Sequence, residues 1–449
     1  MIRITVVAIA LPALCLGGWK VGAAKVNINP TEPIWLAGYG NRDRPSDGIL
    51  QDIWVKAAAF QDDSGAVSVI TTADLVGLDT KTVETVSRRV REKYGVPRER
   101  LLFNYSHNHS CPVTGDVLHL YYPLMDAQQR AAVARYTERL YDQYVEVIGK
   151  AIQALSPATL EFEQGLAGFA VNRRRARPGG RSLLGPVDHD VPVMVARDDR
   201  RAPRAILFGY SCHTTALSGS KVNGDYAGYA QEELEKAYPT ATALFVMGCG
   251  GDANPLPRIM GVNTPEAVEL ASMYGKILAT AVKLVVEGKM KPIGGPIKAA
   301  YGIAEVPFQK PPTREQLLEQ QRTLTGNRKR YNEYLLSVIQ REGKLMDRYP
   351  YPVHAWMFGD DLTFIGLTGE NVVDYCLRFK EEYGWENTWV AGYHNELLSY
   401  IPSLRVLKEG GYEGTEGMYE YGLPGPYGYA IEEVIAQKVE ELVKEARGK

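Results

Sequence analysis

The chain has 449 residues, 45% of them hydrophobic and 23% charged, which suits one large or two ordinary globular domains and excludes wholesale disorder. Its 51 basic and 53 acidic residues leave a formal charge of −2, without the positive excess that a nucleic-acid binder carries. Met1-Ile2-Arg3, an apolar run from Ile4 to Leu16, and Gly17-Gly18 predict a cleaved export signal over 1–18, with a buried N-terminal strand as the alternative. The run is too short to span a bilayer, and Leu14 before Cys15 speaks against a lipoprotein site. No later segment is apolar enough to be a transmembrane helix.

Beyond the signal, strand patterns are predicted at 53–60, 66–73, 101–105, 205–210, 243–247 and 362–367. Helical patterns are predicted at 80–94, 126–154, 226–238, 265–286, 371–383 and 429–446. This alternation predicts an α/β fold. The polar, helix-prone stretch 313–347, preceded by Pro311-Pro312, reads as a solvent-facing excursion, and Tyr349 to Tyr429, rich in Tyr, Gly and Pro, as ordered loops bearing aromatic side chains. No repeat, low-complexity tract or inter-domain linker is evident. The five cysteines (Cys15, Cys111, Cys212, Cys249 and Cys376) form no C-x-x-C pair, so small buried cysteines are expected rather than a disulfide framework. One disulfide among Cys111, Cys212 and Cys249 is the alternative.

Unusual polar residues fall at the ends of strands. Leu101–Tyr105 runs into His107 and His109, Ala205–Tyr210 into Cys212-His213, Leu244–Met247 into Gly248-Cys249-Gly250-Gly251-Asp252, and Leu362–Leu367 into Gly369-Glu370. Ligands in open α/β sheets bind beyond the carboxyl ends of strands, so four strands that each deliver His, Asp or Glu describe one convergent site. In an extended segment His107 and His109 point the same way, and imidazole is the commonest protein ligand of zinc. Glu370 adds a hard oxygen ligand, and the chain has only seven histidines to spend on such positions.

Five segments, in order, carry a resemblance to the neutral/alkaline non-lysosomal ceramidase family. Ser106-His107-Asn108-His109-Ser110-Cys111-Pro112 resembles the family's S-H-T-H-S-G-P block, and Asn172-Arg173 its N-R-S segment. Cys212-His213-Thr214-Thr215 with Gly224-Asp225-Tyr226-Ala227-Gly228-Tyr229-Ala230 resembles its second histidine and G-D-x-x-G-Y-A helix start. Gly369-Glu370 resembles its P-G-E segment, and Ser399-Tyr400-Ile401 with Tyr412-Glu413-Gly414 its paired-tyrosine block. The resemblance implies mixed β-sheets flanked by helices in a single large catalytic domain over 19–449. It implies one zinc per chain held by His107, His213, Glu370 and Tyr400, with His109, Arg173 and Tyr412 around the scissile carbonyl. Zinc-activated water would then attack an amide carbonyl of a ceramide-like N-acyl lipid, with His109 moving the proton and Arg173 and Tyr412 stabilising the oxyanion. Without the family, Arg173 in Arg173-Arg174-Arg175 reads as a solvated basic turn.

Two departures matter. Where the family carries G-D-V-S-P-N this chain has Gly251-Asp252-Ala253-Asn254-Pro255, and Asn254 in the serine slot is incompatible with a serine nucleophile while it offers a donor and an acceptor to a polar substrate. The chain also ends on an amphipathic pattern, Ile431 to Ala446, where the family continues into an immunoglobulin-like domain. The expected protein is therefore an exported zinc hydrolase of small N-acyl substrates, without nucleic-acid partners and with peripheral membrane contact left open. One alternative is hydrolysis of a carbohydrate-linked ester, N-acyl or glycosidic bond; another is a non-catalytic metal- or ligand-binding protein. His119, His189, His354 and His394 match no family position. His189 between Asp188 and Asp190 reads as a capped loop before a second metal group, and Asp225 as a helix N-cap before a site carboxylate.

Overall fold

The computed structural model describes residues 18–175, 185–259 and 264–448. The expected signal segment, apart from Gly18, and Cys15 lie outside the described residues. The chain opens with β1 (Trp19–Asn27), β2 (Trp54–Gln61) and β3 (Val67–Ala73), then α1 (Thr80–Tyr94), β4 (Leu101–Tyr105) and the long α2 (Ala127–Gln153). β5 (Ser156–Leu166), β6 (Ala170–Asn172), β7 (Asp190–Arg197) and β8 (Pro203–Tyr210) precede α3 (Asp225–Ala237), β9 (Thr242–Met247), β10 (Ala253–Pro255) and α4 (Pro265–Glu287). β11 (Lys291–Ile293) and β12 (Ile297–Pro307) lead into α5 (Arg314–Gln321) and α6 (Gly326–Glu342). Then come β13 (Arg348–Phe358), β14 (Leu362–Thr368), β15 (Glu370–Asn371), α7 (Asp374–Tyr383), β16 (Thr388–His394), β17 (Tyr400–Ile401), α8 (Leu404–Glu409) and α9 (Ile431–Arg447).

A 13-stranded sheet runs in the order β12-β13-β14-β16-β4-β3-β2-β1-β5-β7-β8-β9, with β11 beside β5. It mixes parallel pairs, such as β3–β4, β8–β9 and β14–β16, with antiparallel ones. Period-two patterning divides its faces. On β2, Val55, Ala57 and Ala59 pack into the core shared with α1 to α4, while Ala58 and Phe60 join an inner core with Leu207, Leu244, Trp356, Phe364 and Trp389. On β13, Tyr351, Val353, Ala355 and Met357 face a third core under α7 and α9, and Trp356 and Phe358 turn inward. The sheet therefore folds over its own inner face and wears helices outside. A one-residue slip would turn both sets of side chains round, at about 1.5–3 kcal/mol for each large residue displaced.

Helix ends follow local chemistry. Asp79 caps α1 by accepting from the Thr82 amide, and Gly95 closes it in the left-handed region. Thr264 caps α4 ahead of Pro265. Two expectations need correction. Tyr349–Tyr429 is not mainly loop: β13 and β16 belong to the sheet, because their β-branched and aromatic residues are buried on both faces and hide the alternation. Asp225 is the first residue of α3 rather than its cap, and its buried carboxylate accepts from the amides of Ala216, Leu217 and Tyr226. The 313–347 excursion forms α5 and α6 over a small core of its own, built on Leu317, Tyr331, Leu335 and Val338.

Candidate metal centre

Three strand ends deliver the imidazoles and the carboxylate. After β4 the chain enters the left-handed region at His107 (φ 58°), a conformation that costs a non-glycine residue roughly 1–2 kcal/mol. The His107 amide offsets this by donating to Leu75 O at 2.9 Å, and the turn swings the ring into the site. After β8, the His213 amide donates to Ala253 O at 3.0 Å, which ties it to β10. After β14, Gly369 lies at φ +78°, where an added Cβ would meet Ser399 O at 2.8 Å, and the next residue is Glu370. β15 and β17 pair in parallel with Glu370 opposite Tyr400, so the carboxylate and the phenol share one site. Asn104 on β4 holds the neighbouring strand ends together, exchanging hydrogen bonds with the Met247 backbone and donating to Gly392 O at 2.8 Å.

Glu370 Oε2 lies 3.1 Å from His107 Nε2 and 3.2 Å from His213 Nε2. His109 Nε2 is 3.1 Å from His107 Nε2, and the Tyr400 hydroxyl is 3.5 Å from His213 Nε2. His107 Nδ1 donates to Val76 O at 2.7 Å and His213 Nδ1 to Gly250 O at 2.6 Å. Each bond leaves a lone pair on Nε2, aimed at the other imidazole and the carboxylate. Lone pairs and an anion facing one another across about 3 Å repel unless a cation lies between them, and His107, His109 and His213 could together hold a metal ion. Burial, then the charge of Arg173, lowers His213 to about 4, so it stands neutral at pH 7 as a metal ligand must.

The expected surrounding residues converge here as well. The Arg173 guanidinium lies 5.4 Å from the Tyr400 ring and 5.8 Å from that of Tyr412. Its Nε donates to Glu413 at 2.6 Å, one Nη faces Asn254 Oδ1 at 3.5 Å, and Nη2 is buried without a hydrogen-bond partner. It is thus no solvated turn: β6 pairs with β10, which sets Arg173 just beyond Asn172 and next to Asn254. The Tyr412 ring lies tilted against that of Tyr400, 5.2 Å away, and its hydroxyl donates to Glu420 at 2.6 Å. Gly38 packs so closely on His109 that an added Cβ would meet its Cγ at 2.3 Å.

Sequence reasoning missed Tyr421 and Tyr393, whose hydroxyls both donate to Glu370, the latter at 3.4 Å. It also missed the roles of Glu413 and Glu420. Nothing in composition singles out two of 27 tyrosines, and only their backbone neighbours place them. Elsewhere the bland expectations hold. His189 bonds Ala170 O at 2.9 Å, while Asp188 and Asp190 hold the buried Lys380 ammonium at 2.8 and 2.9 Å. Cys111, Cys212, Cys249 and Cys376 are free and buried.

A family model, "Neutral/alkaline non-lysosomal ceramidase, N-terminal", matches residues 19–254, just over half of the chain. The chain belongs to the neutral/alkaline non-lysosomal ceramidase family. It is 26% identical over 255 residues to a neutral ceramidase of Mycobacterium tuberculosis (strain ATCC 25618 / H37Rv), a match over 52% of this chain but only 39% of that protein. Two solved structures share the fold over 96% of the chain: one described as "Ceramidase complexed with C2" (TM-score 0.73, 16% identity, 76% of that chain covered) and the neutral ceramidase of Pseudomonas aeruginosa (TM-score 0.72, 18% identity, 75% covered). Among the described residues, no helix is long and apolar enough to cross a membrane.

Proposed function

We propose that this chain is a zinc-dependent hydrolase of an N-acyl bond, with the metal held by His107, His213, Glu370 and Tyr400. The observation that carries the reading is the approach of two backbone-fixed imidazoles to one Glu370 oxygen, at 3.1 and 3.2 Å. Zinc bound there would supply a water of lowered pKa and an electrophile for the carbonyl. His107 and His213 each spend Nδ1 on a backbone carbonyl, which is how a ligating histidine is oriented. His109 differs: its Nε2 lies against His107 Nε2 and its Nδ1 has no hydrogen-bond partner, so no backbone carbonyl fixes it as a ligand and its ring is assigned to moving the proton to the departing nitrogen. Arg173 offers its unpartnered Nη2 to a developing oxyanion, fixed in place by Glu413, and Tyr412 closes the same side. Asn254 shapes recognition beside Arg173 and takes no covalent part.

The survival of proton-transfer and oxyanion groups alongside the ligand set favours an enzyme over a binding protein. Export rests on the apolar run before Gly17 alone. Elemental analysis of the purified protein with a screen of N-acyl substrates tests the reading. We expect about one zinc per chain, and His213→Ala lacking both metal and turnover. A metal-free preparation with full activity would overturn it.

A further inference from the structure

A cavity of about 220 Å³ opens beside Tyr412, between the loop around Tyr121, the first turn of α6 and the 416–420 turn. It is smaller than the roughly 300–1,000 Å³ of a site for a drug-sized ligand, and so fits one ring rather than a long chain. It stands one aromatic ring from the candidate metal centre, since Tyr412 contacts both the cavity and, at 5.2 Å, Tyr400.

The lining mixes aromatic and polar surface and carries both signs. Arg328 stacks 3.9 Å over the Tyr419 ring and makes no ion pair among the described residues, so its donors are open. Asn327 adds a carboxamide, and Glu420, which accepts from Tyr412 at 2.6 Å, a carboxyl that burial raises to about 7. Tyr121 and Tyr412 supply aromatic walls with hydroxyl tips. Tyr412 already donates to Glu420, so an acyl chain or sphingoid tail laid here would chiefly strip water from the open donors of Arg328 and Asn327, at about 1–3 kcal/mol for each group left unmet. A neutral ring bearing several hydroxyls satisfies acceptors and donors together.

We infer that this cavity seats the ring of an N-acylated amino sugar, which makes the substrate an amino-sugar amide rather than an N-acyl lipid and Arg328 a specificity-determining residue. The inference rests on the hydrolytic reading of the centre at His107, His213, Glu370 and Tyr400. In the reaction the oxygen of water bonds to the acyl carbon and the C–N bond breaks. One water proton goes to the sugar nitrogen, which leaves as the amine, and the acyl group leaves as its acid. The otherwise unexplained excursion 313–347 then has a use, because α6 forms one wall of the substrate site.

Turnover of N-acetylated glucosamine oligosaccharides, of an N-acyl sphingosine in mixed micelles and of an N-acyl anilide lacking any headgroup should be compared in the full chain and in Arg328→Ala and Arg328→Lys. We expect the amino sugar to have the highest kcat/KM. Arg328→Ala should lower the ratio of sugar to anilide kcat/KM about ten-fold through KM, and Arg328→Lys should restore part of it. Saturation-transfer NMR with the same oligosaccharides reads the cavity without turnover: signal that Arg328→Ala abolishes supports the site even if no substrate is cleaved, the outcome that would count against the hydrolytic reading alone. Absence of any sugar signal from the unaltered protein, or a higher kcat/KM for the lipid, overturns the inference.

Discussion

Glu370 and Tyr400 are register partners in the short parallel pair β15–β17, which places a carboxylate and a phenol, far apart in sequence, before the same imidazoles. One Glu370 oxygen faces His107 and His213, and the other accepts from Tyr421. Tyr421→Phe should therefore weaken metal binding by roughly 10–100-fold, the usual loss when an outer hydrogen-bond partner of a ligand is removed. Glu370→Gln should weaken it further. Competition with a zinc-binding dye measures both, and equal affinities for Tyr421→Phe and the unaltered protein would show that Tyr421 does not orient the ligand.

Arg173 and Glu413 make a part-buried pair at 2.6 Å, with Arg174 on the other Glu413 oxygen at 2.5 Å. Removing one member of a buried pair strands the other charge. Glu413→Gln should cost on the order of 3 kcal/mol in unfolding free energy and lower kcat by releasing Arg173, with metal content retained. Arg173→Lys keeps the charge but loses the fork, and should lower kcat about 100-fold, the scale for losing one oxyanion donor. Denaturant titration, elemental analysis and steady-state kinetics separate these effects. Loss of metal in either variant would mean that the pair supports the ligand set instead.

Asn254 Oδ1 faces the Arg173 guanidinium at 3.5 Å. Asn254→Ala should keep the metal and change the ranking of N-acyl substrates, whereas abolished metal binding would place the residue wrongly. Asn254→Ser returns the hydroxyl expected in this slot and should shift preference toward N-acyl sphingoid bases without creating a covalent intermediate. Mass spectrometry of the enzyme quenched during turnover checks the second point.

The ends of β4, β8 and β14 could be read from sequence because each apolar run gives way within a few residues to His107, His213 or Glu370, and that is where the site lies; Asp252, beyond β9, instead accepts from Asn172 and the Val373 amide. His107, His213 and Glu370 needed only this placement to be noticed together. Tyr400 and Tyr412 did not stand out from composition, since their positions depend on a two-residue strand pair and a tilted ring contact that leave no local pattern. β13 and β16 escaped for the opposite reason: strands buried on both faces lose the alternation that betrays a strand. Arg173 looked like a surface turn because its partner Glu413 is supplied by a distant segment.

Glu396 offers a test of the fold's electrostatics away from the metal. It is buried, with Tyr349 OH donating to it at 3.4 Å and the Arg98 charge nearby, and burial raises its carboxyl to about 7. Between the ordinary glutamate value and that point the folded state holds more protons than the unfolded one, so this group makes stability fall as pH rises through the window. Below the window it contributes nothing, and above about pH 7 its cost is constant, on the order of 3 kcal/mol. Glu396→Gln removes the titrating proton and keeps the shape. Its stability relative to the unaltered protein should therefore be lowest near pH 4 and rise by a few kcal/mol by pH 8, as read from urea midpoints at matched ionic strength. A difference that stays flat between pH 4 and 8 would mean that water or Arg98 keeps the carboxylate charged in the fold.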